Sequence, residues 1–175
     1  MEKDVRQSIT DYKLPRYICE ILCNHYAKAF LDMTIICENN KYIFSYDKKN
    51  KQRLIYRELT EMDKMQLVLT LILINDNNRQ MLIGAERYLI EPELIYSVSN
   101  RTDYNNIGIL FYPDTTMTPF NIKLLRFIDK IETKNKKKVM DCFGLIKDEL
   151  AKNEIYRARS IAEKHLNRML NERAV

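Results

Sequence analysis

Glycine and histidine are scarce in this sequence, and their scarcity argues against two common kinds of catalytic site. The 175 residues contain 3 glycines and 2 histidines. A phosphate-binding loop needs clustered glycines, because a backbone without side chains brings several N–H groups close to one anion. The glycines at positions 84, 108 and 144 are too far apart to form such a loop. Two histidines, His25 and His165, are too few for a histidine-rich metal centre.

Long apolar segments are also lacking. The longest apolar stretch, from Leu67 to Ile74, is far shorter than the roughly 20 residues that a helix needs to span a bilayer. We therefore expect no membrane span. The sequence begins without an apolar signal segment and carries four cysteines, a combination typical of a reducing, cytoplasmic setting.

Three of the cysteines lie close together in the sequence. Cys19 and Cys23 are four residues apart, with His25 nearby and Cys37 downstream, an arrangement that suggests a metal cluster. No Cys-x-x-Cys pair accompanies them, although such pairs are typical of structural zinc sites. We therefore expect buried structural thiols, and neither a metal ion nor another cofactor.

The formal net charge of +5 comes entirely from the last third of the sequence. Residues 1–119 contain 15 Lys and Arg against 16 Asp and Glu, whereas residues 120–175 contain 14 against 8. A basic patch, defined as Lys134, Lys136, Lys137 and Lys138, is of a kind that attracts nucleic acid, anionic lipid or an acidic protein. The alternative is that these lysines only solvate a turn between helices, which is the usual role of a charge run.

Apolar periodicity predicts an α+β fold, with a small antiparallel sheet followed by an all-helical C-terminal part. The first half is expected to contain a strand at Val5–Tyr12, a helix from Pro15 to Asn24, a hairpin of strands Phe30–Cys37 and Tyr42–Tyr46, and an extended run at Arg53–Tyr56. Thr60 and Asp63 have the spacing of a capping box. They predict a buried helix at Glu61–Asn75 that the polar residues 76–78 end.

The second half is expected to change from strands to helices. Three short strands are predicted at Tyr88–Ile90, Leu94–Val98 and Ile107–Phe111. Thr118 is a suitable cap and Pro119 a favoured first residue for the next helix. A second apolar surface runs from Val139 to Leu150, and an amphipathic basic helix from Asn153 to Asn171.

One segment carries a resemblance to protein kinases. The run Leu89-Ile90-Glu91-Pro92-Glu93-Leu94-Ile95-Tyr96 looks like the kinase catalytic-loop run Asp-Leu-Lys-Pro-Glu-Asn-Ile-Leu. The predicted order of elements is similar to that of a kinase entered at its third strand and followed to the catalytic-loop hairpin. The resemblance therefore implies a degenerate, truncated protein-kinase-like fold.

A narrower resemblance covers about Val5 to Glu149. The segments Tyr42–Asp47, Tyr88–Tyr96 and Leu110–Pro113 resemble an uncharacterised Gram-positive bacterial domain usually found ahead of forkhead-associated (FHA) domains. They are similar, more distantly, to the cytoplasmic pseudokinase domain of the type VII secretion proteins EssB and YukC. The resemblance implies a pseudokinase with a role in a bacterial secretion, pilus or signalling assembly.

Carried over to this sequence, the kinase pattern lacks its catalytic groups. The position of the catalytic Asp falls on Leu89 and that of the metal-binding Asn on Leu94, and neither side chain can hold a proton or a cation. Pro92 and Glu93 match the kinase run directly. Asp114 lies too late in the register to replace the magnesium-binding Asp, and a glycine-rich loop is missing. We therefore expect no kinase activity and no enzyme.

These patterns together predict a non-catalytic scaffold that binds another protein. Residues 1–150 are expected to form the kinase-like domain, with 1–58 resembling the N-lobe and 59–150 the C-lobe, and residues 151–175 a C-terminal amphipathic basic helix. The expected partner-binding residues on that helix are Arg157, Arg159, Ile161, Lys164, Leu166, Arg168 and Met169. The partner is a different protein or a second copy of the chain.

Three alternatives stay open. The apolar side of the C-terminal helix is equally suited to packing against the two preceding helices. The protein could instead bind nucleic acid or an anionic surface through the basic patch together with Arg157, Arg159, Lys164 and Arg168. An enzyme of another type is a third possibility.

Overall fold

The expected α+β architecture is confirmed by a computed structural model, which describes residues 5–10, 13–38, 41–132 and 137–173. Within these residues there are two small antiparallel sheets and five α-helices. The strands are β1 (Val5–Thr10), β2 (Asp32–Glu38), β3 (Lys41–Asp47), β4 (Gln52–Arg53), β5 (Ile95–Ser97) and β6 (Ile107–Ile109). The helices are α1 (Arg16–Cys23), α2 (Glu61–Gln80), α3 (Phe120–Ile131), α4 (Lys137–Ala151) and α5 (Ile155–Arg173).

The first sheet contains the predicted hairpin. Its strand order is β1-β3-β2, and all neighbours are antiparallel. Aromatic and β-branched residues favour this pleated surface, because their side chains pack well across strands. Phe44 and Tyr46 of β3 are fully buried on one face and stack 6.2 Å apart. The predicted turn residues Asn39 and Asn40 lie outside the described residues.

The second sheet has the order β4-β5-β6. Ile109 of β6 forms an isolated parallel bridge with Phe30, two residues before β2 begins. The predicted strand at Tyr88–Ile90 is wrong. Only Tyr88 pairs, in an isolated bridge with Pro113. The bridge is made by backbone bonds from Leu89 to Tyr112 and from Asp114 to Arg87. The pairing does not extend further, and the chain enters a 3₁₀ turn at Pro92–Leu94 soon afterwards.

Helix α2 is longer than its sequence predicts. Its capping box is confirmed, since the backbone N–H of Asp63 donates to the Thr60 hydroxyl and the Asp63 carboxylate accepts from the Thr60 backbone. The polar residues 76–78 do not end the helix, which continues to Gln80. Asn78 stays helical because it is buried and its side-chain amide donates to the Tyr88 hydroxyl at 3.1 Å.

Three helices end in the same hydrogen-bonded turn, and none of them uses glycine. In a Schellman motif the residue after the cap is left-handed, a conformation that favours glycine. His25, Leu82 and Asn153 occupy that position after α1, α2 and α4, with φ angles of 57°, 59° and 63°. No glycine among the described residues has a positive φ. The few glycines are therefore not used to end helices.

The C-terminal half is helical as predicted, with two differences at helix starts. The cap of α3 is Pro119, which makes no side-chain cap hydrogen bond, and the helix begins at Phe120. Thr118 does not cap it, because its backbone N–H donates to Asp114 and its hydroxyl contacts Thr116. Helix α5 begins at Ile155 rather than Asn153.

One hydrophobic core runs from Leu14 to Ala162 and includes residues on both sides of the predicted lobe boundaries. Helix α5 packs on α4 and α2, and its Ala158 and Ala162 are fully buried there. The division into lobes stays a prediction. Among the described helices, none combines the length and the apolar character that crossing a membrane requires.

Candidate functional site

The segment that resembles a kinase catalytic loop lines a cleft of about 360 Å³. One wall is formed by Leu89 and the two residues after it, and the facing wall by the segment from Tyr112 to Thr118 together with α3. The two walls are joined by a backbone hydrogen bond from Leu89 to Tyr112 of 2.8 Å. The cleft therefore lies where the kinase resemblance places catalytic groups.

A buried ion pair forms the floor of this cleft. The Lys123 ammonium of α3 lies 2.7 Å from Oδ2 of Asp114, and their side chains are only 5% and 1% exposed. The same ammonium donates to the backbone oxygens of Ala85 at 2.6 Å and Tyr88 at 2.5 Å. A lysine ammonium has three protons to donate, so Lys123 has no donor left for a ligand.

The carboxylate of Asp114 is equally occupied. Its Oδ1 accepts from the backbone and the hydroxyl of Thr116 at 2.8 and 2.6 Å, and its Oδ2 also accepts from the backbone of Thr118 at 3.1 Å. Burial by itself would raise the pKa of Asp114, but the hydrogen bonds from Lys123 and Thr116 outweigh it and hold the pKa below its usual value. Asp114 is therefore ionised at neutral pH and neutralised within the protein.

The remaining charged groups that line the cleft are Glu91 and Arg126. Glu91 makes an ion pair with Lys130 at the exposed edge. Arg126 is exposed and makes no ion pair with a described residue. Phosphoryl transfer needs a positioned carboxylate and oxygen ligands for magnesium. The Leu89 side chain has no oxygen to supply, and the Asp114 carboxylate is bound to Lys123.

The other positions of the degenerate catalytic loop lie away from the cleft. Pro92 begins a 3₁₀ turn, and its backbone oxygen accepts from the Tyr56 hydroxyl at 3.0 Å. Glu93 is exposed, whereas Leu94 is partly buried and packs against the hydrophobic core. These three residues therefore shape the turn, and only Leu89 of the four predicted positions lines the cleft.

The side chains of the predicted basic patch lie outside the described part of the chain. Lys134 and Lys136 lie outside the described residues. Lys137 and Lys138 begin α4, but their side chains are outside the described part of the chain. The patch stays a prediction.

The apolar residues predicted to bind a partner on α5 contact the protein itself. Ile161, Leu166 and Met169 are partly buried and pack against the core. The neighbours of α5 are α4 and α2, so the intramolecular alternative involves α2 in place of α3. The apolar side chains that α5 leaves in solvent are instead Tyr156, 75% exposed, and Leu170, 47% exposed.

Most of the predicted basic residues of α5 are paired with carboxylates. Arg159 contacts Glu163 at 2.7 Å and Asp76 at 3.6 Å, and Arg168 contacts Glu172 at 3.0 Å. Arg157 lies 3.9 Å from Glu154 and 4.0 Å from Glu149. Lys164 is exposed and has no such partner among the described residues. This pairing lowers the positive charge that α5 presents to a nucleic acid or membrane surface.

A second, larger concavity was not predicted from the sequence. It is an open groove of about 720 Å³ between α1, the end of α2, the turn before α3 and the start of α5. Its rim carries the exposed apolar side chains of Tyr17, Leu82 and Met117. The sequence gives little signal for it, because the four segments lie up to about 140 positions apart and join only in the fold.

The sequence suggests a metal cluster at Cys19, Cys23, Cys37 and His25, but structural thiols are the expectation there. No group of three or more His, Cys, Asp or Glu side chains suited to a metal ion occurs in the described ranges. Cys142 is buried as expected of a structural thiol, and Cys19 and Cys23 are partly buried. Cys37 is exposed, so the expectation of a buried thiol is wrong there.

No model of a known protein family matches the chain, and no curated protein matches it either.

Proposed function

We propose that this protein is a non-catalytic, pseudokinase-like scaffold that binds another protein in a bacterial secretion, pilus or signalling assembly. The observation that supports the proposal is that the two buried charged groups of the cleft bind each other. Lys123 and Asp114 fill each other's bonding capacity, and a leucine, Leu89, stands where a kinase has its catalytic Asp. A cleft of this kind holds the fold together and offers no group for phosphoryl transfer.

The succession of elements supports the kinase-like part of the proposal. The chain begins with a strand, a helix and a two-stranded hairpin, and the strand and the hairpin form the first sheet. A long buried helix and a short hairpin follow. This is the order that the resemblance implies for a kinase entered at its third strand. Helices α3, α4 and α5 then complete the C-terminal part.

Exposed apolar side chains support the binding part. Tyr156 of α5 is 75% exposed and Leu82 is 72% exposed, and both lie near the start of α5 or the groove beside it. Large exposed aromatic and aliphatic side chains are enriched where proteins bind each other. We place the partner-binding surface at this end of α5, next to the predicted residue Arg157.

Nucleotide binding separates the scaffold from a kinase. Thermal unfolding of the protein with and without ATP and magnesium is expected to give the same melting temperature. A ligand that binds the folded state raises that temperature in proportion to its occupancy. A rise of several degrees with ATP and magnesium would overturn the proposal.

Partner binding is tested by site-specific photo-crosslinking in the cells that express the protein. A photo-reactive amino acid in place of Tyr156 is expected to yield a discrete protein adduct, and one in place of the exposed Arg57, remote from α5 in sequence, is the matched control. An adduct from neither position, or equal adducts from both, counts against a scaffold that uses this surface.

The nucleic-acid alternative has its own readout. A mobility-shift titration at two salt concentrations is expected to show no salt-sensitive retardation, since binding through phosphates weakens as salt rises. Salt-sensitive binding that replacement of Lys136, Lys137 and Lys138 with Glu abolishes would favour the alternative over the scaffold.

A further inference from the structure

The open groove beside α5 carries an inference that rests on the proposed scaffold function and specifies its partner. The groove is lined by residues from four segments, and its rim is formed by Tyr17, Leu82 and Met117. Its shape is shallow and open over about 720 Å³. Small-molecule sites usually bury most of their ligand, so an open groove is better suited to a segment of polypeptide.

Leu82 occupies a position where leucine is unfavourable in the isolated protein. It is the left-handed residue of the Schellman motif after α2, with φ at 59° and backbone bonds of 3.0 Å from Leu82 to Arg79 and 2.9 Å from Ile83 to Asn78. Glycine relieves the clash between Cβ and the backbone at such a position. The leucine side chain is 72% exposed, so burial within the protein does not offset this cost.

Met117 on the facing side of the groove repeats the pattern. Its φ is 54°, and its side chain is 47% exposed. The turn that carries it is held by the bonds from Thr116 and Thr118 to Asp114. The Tyr17 hydroxyl donates to the Leu82 backbone oxygen at 3.1 Å and fixes the opposite rim. Two strained apolar residues are thus held in solvent on a rigid frame, as is typical of a functional contact.

The floor of the groove provides an unused amide. Asn75 of α2 is only 2% exposed and lines the groove, and its side chain makes no hydrogen bond with a described residue. An asparagine side chain can both donate to and accept from a peptide backbone.

The charge of the groove indicates which side chains a bound peptide segment would carry. The charged side chains that line the groove include Arg79 at the end of α2. Arg79 is exposed and makes no ion pair with a described residue. An arginine guanidinium favours a carboxylate, to which it donates two parallel hydrogen bonds. A segment with an acidic side chain is therefore complementary to the groove.

We infer that this groove binds an extended segment of a partner protein. Apolar side chains of the segment contact Leu82 and Met117, its backbone bonds to the Asn75 amide, and an Asp or Glu side chain pairs with Arg79. The strain at Leu82 and Met117 is then offset by apolar surface that is buried only in the complex. This is a docking role distinct from the closed cleft at Lys123 and Asp114.

The inference is tested by selecting peptides that bind the full-length protein. A phage-displayed library of random dodecapeptides is panned against the protein, and the enriched sequences are synthesised and measured by fluorescence anisotropy. Enriched peptides are expected to combine Leu, Ile or Phe with Asp or Glu. Leu82→Gly and Arg79→Ala are each expected to weaken their binding at least tenfold.

Matched controls separate the groove from the rest of the surface. Leu145→Ala removes a leucine that is 55% exposed on α4, and Arg57→Ala removes an exposed arginine on the 3₁₀ turn at Tyr56–Glu58. Both are expected to leave peptide binding unchanged. Replacing the acidic residue of a selected peptide with Lys is expected to remove most of its affinity for the protein. The peptide should then bind Arg79→Ala and the original protein equally weakly.

The outcomes distinguish the groove from the scaffold function as a whole. Selected peptides that bind Leu82→Gly and Arg79→Ala as tightly as the original protein overturn the groove and leave the scaffold intact. A library without any enriched peptide overturns the peptide-binding groove. A dimer in sedimentation that Leu82→Gly dissociates would replace the peptide with a second copy of the chain, which also overturns this inference.

Discussion

Lys123 and Asp114 form a buried ion pair that holds three segments of the chain together. The ammonium of Lys123 on α3 also binds the carbonyls of Ala85 and Tyr88, and the carboxylate binds the turn at Thr116 to Thr118. A charge buried in this way depends on its partner, because an unpaired ion in the interior is strongly unfavourable. The pair therefore stabilises the fold at the cleft.

Lys123→Met is expected to lower the free energy of unfolding by about 3–5 kcal/mol, since it leaves the Asp114 carboxylate buried without its cation. Urea denaturation followed by circular dichroism measures this loss. The control is Lys130→Met, which removes an exposed ion pair with Glu91 and is expected to cost about 0–1 kcal/mol.

The double variant Asp114→Asn/Lys123→Met tests the cause. It removes both charges, so it is expected to be more stable than Lys123→Met alone. If Lys123→Met costs no more than the control, the buried pair does not stabilise the fold as described.

Acid is expected to weaken the protein through Asp114. The pKa of Asp114 in the folded state lies below its unfolded value, so the carboxylate contributes stability above the unfolded pKa. That contribution is lost as the pH falls below the ordinary Asp value of about 3.9 and through the lower folded pKa. The stability advantage of the original protein over Asp114→Asn should be constant near neutral pH and shrink below about pH 4.

Urea denaturation of both proteins between pH 7 and pH 2.5 measures this difference. An advantage that is the same at the two ends of the range would contradict the lowered pKa.

Local signals in the sequence predicted the local structure well. The hairpin of β2 and β3 follows from β-branched and aromatic residues, and the start of α2 follows from Thr60 and Asp63, because neighbouring residues decide both. The end of α2 was wrong because a distant residue decides it. Asn78 has the composition of a helix stop, yet Tyr88 binds its amide and keeps it in the helix.

The candidate sites show the same limit. The resemblance places the kinase catalytic Asp at Leu89, and in the structure Leu89 lines a cleft that the sequence does not predict. The sequence places Asp114 too late in the register for a magnesium ligand and predicts a helix cap at Thr118. In the structure Asp114 binds the Thr118 backbone, and α3 begins without the predicted cap. Such pairing depends on tertiary structure, which a pattern of single residues does not report.

Leu82→Gly is expected to stabilise the free protein by about 0.5–1 kcal/mol. The substitution relieves the left-handed strain of a residue with a side chain, which costs about 1–2 kcal/mol, although glycine gains entropy in the unfolded chain. For a chain of this size the melting temperature should rise by roughly 1–4 °C, measured by calorimetry.

Asn153→Gly is the matched control, because Asn153 has the same place in the Schellman motif after α4 and tolerates a positive φ. Its effect should be smaller. If Leu82→Gly lowers stability instead, the exposed leucine contributes to folding and the case for its role in binding fails.

Helix α5 is expected to tolerate substitutions on its solvent side and not at its contact with α2 and α4. Ala162 is fully buried there, so Ala162→Leu forces extra methyl groups into a packed interface and should cost about 1–3 kcal/mol of unfolding free energy. Lys164→Leu, on the exposed side of the same helix, should change stability by no more than about 0.5 kcal/mol.

Urea denaturation of the two variants distinguishes a docked α5 from one that is free to bind a partner through its apolar side. Equal stability of both variants would mean that Ile161, Leu166 and Met169 are available to a partner, as the sequence first suggested. A loss confined to Ala162→Leu would leave the partner only the exposed surface of α5, where Tyr156 and Lys164 lie.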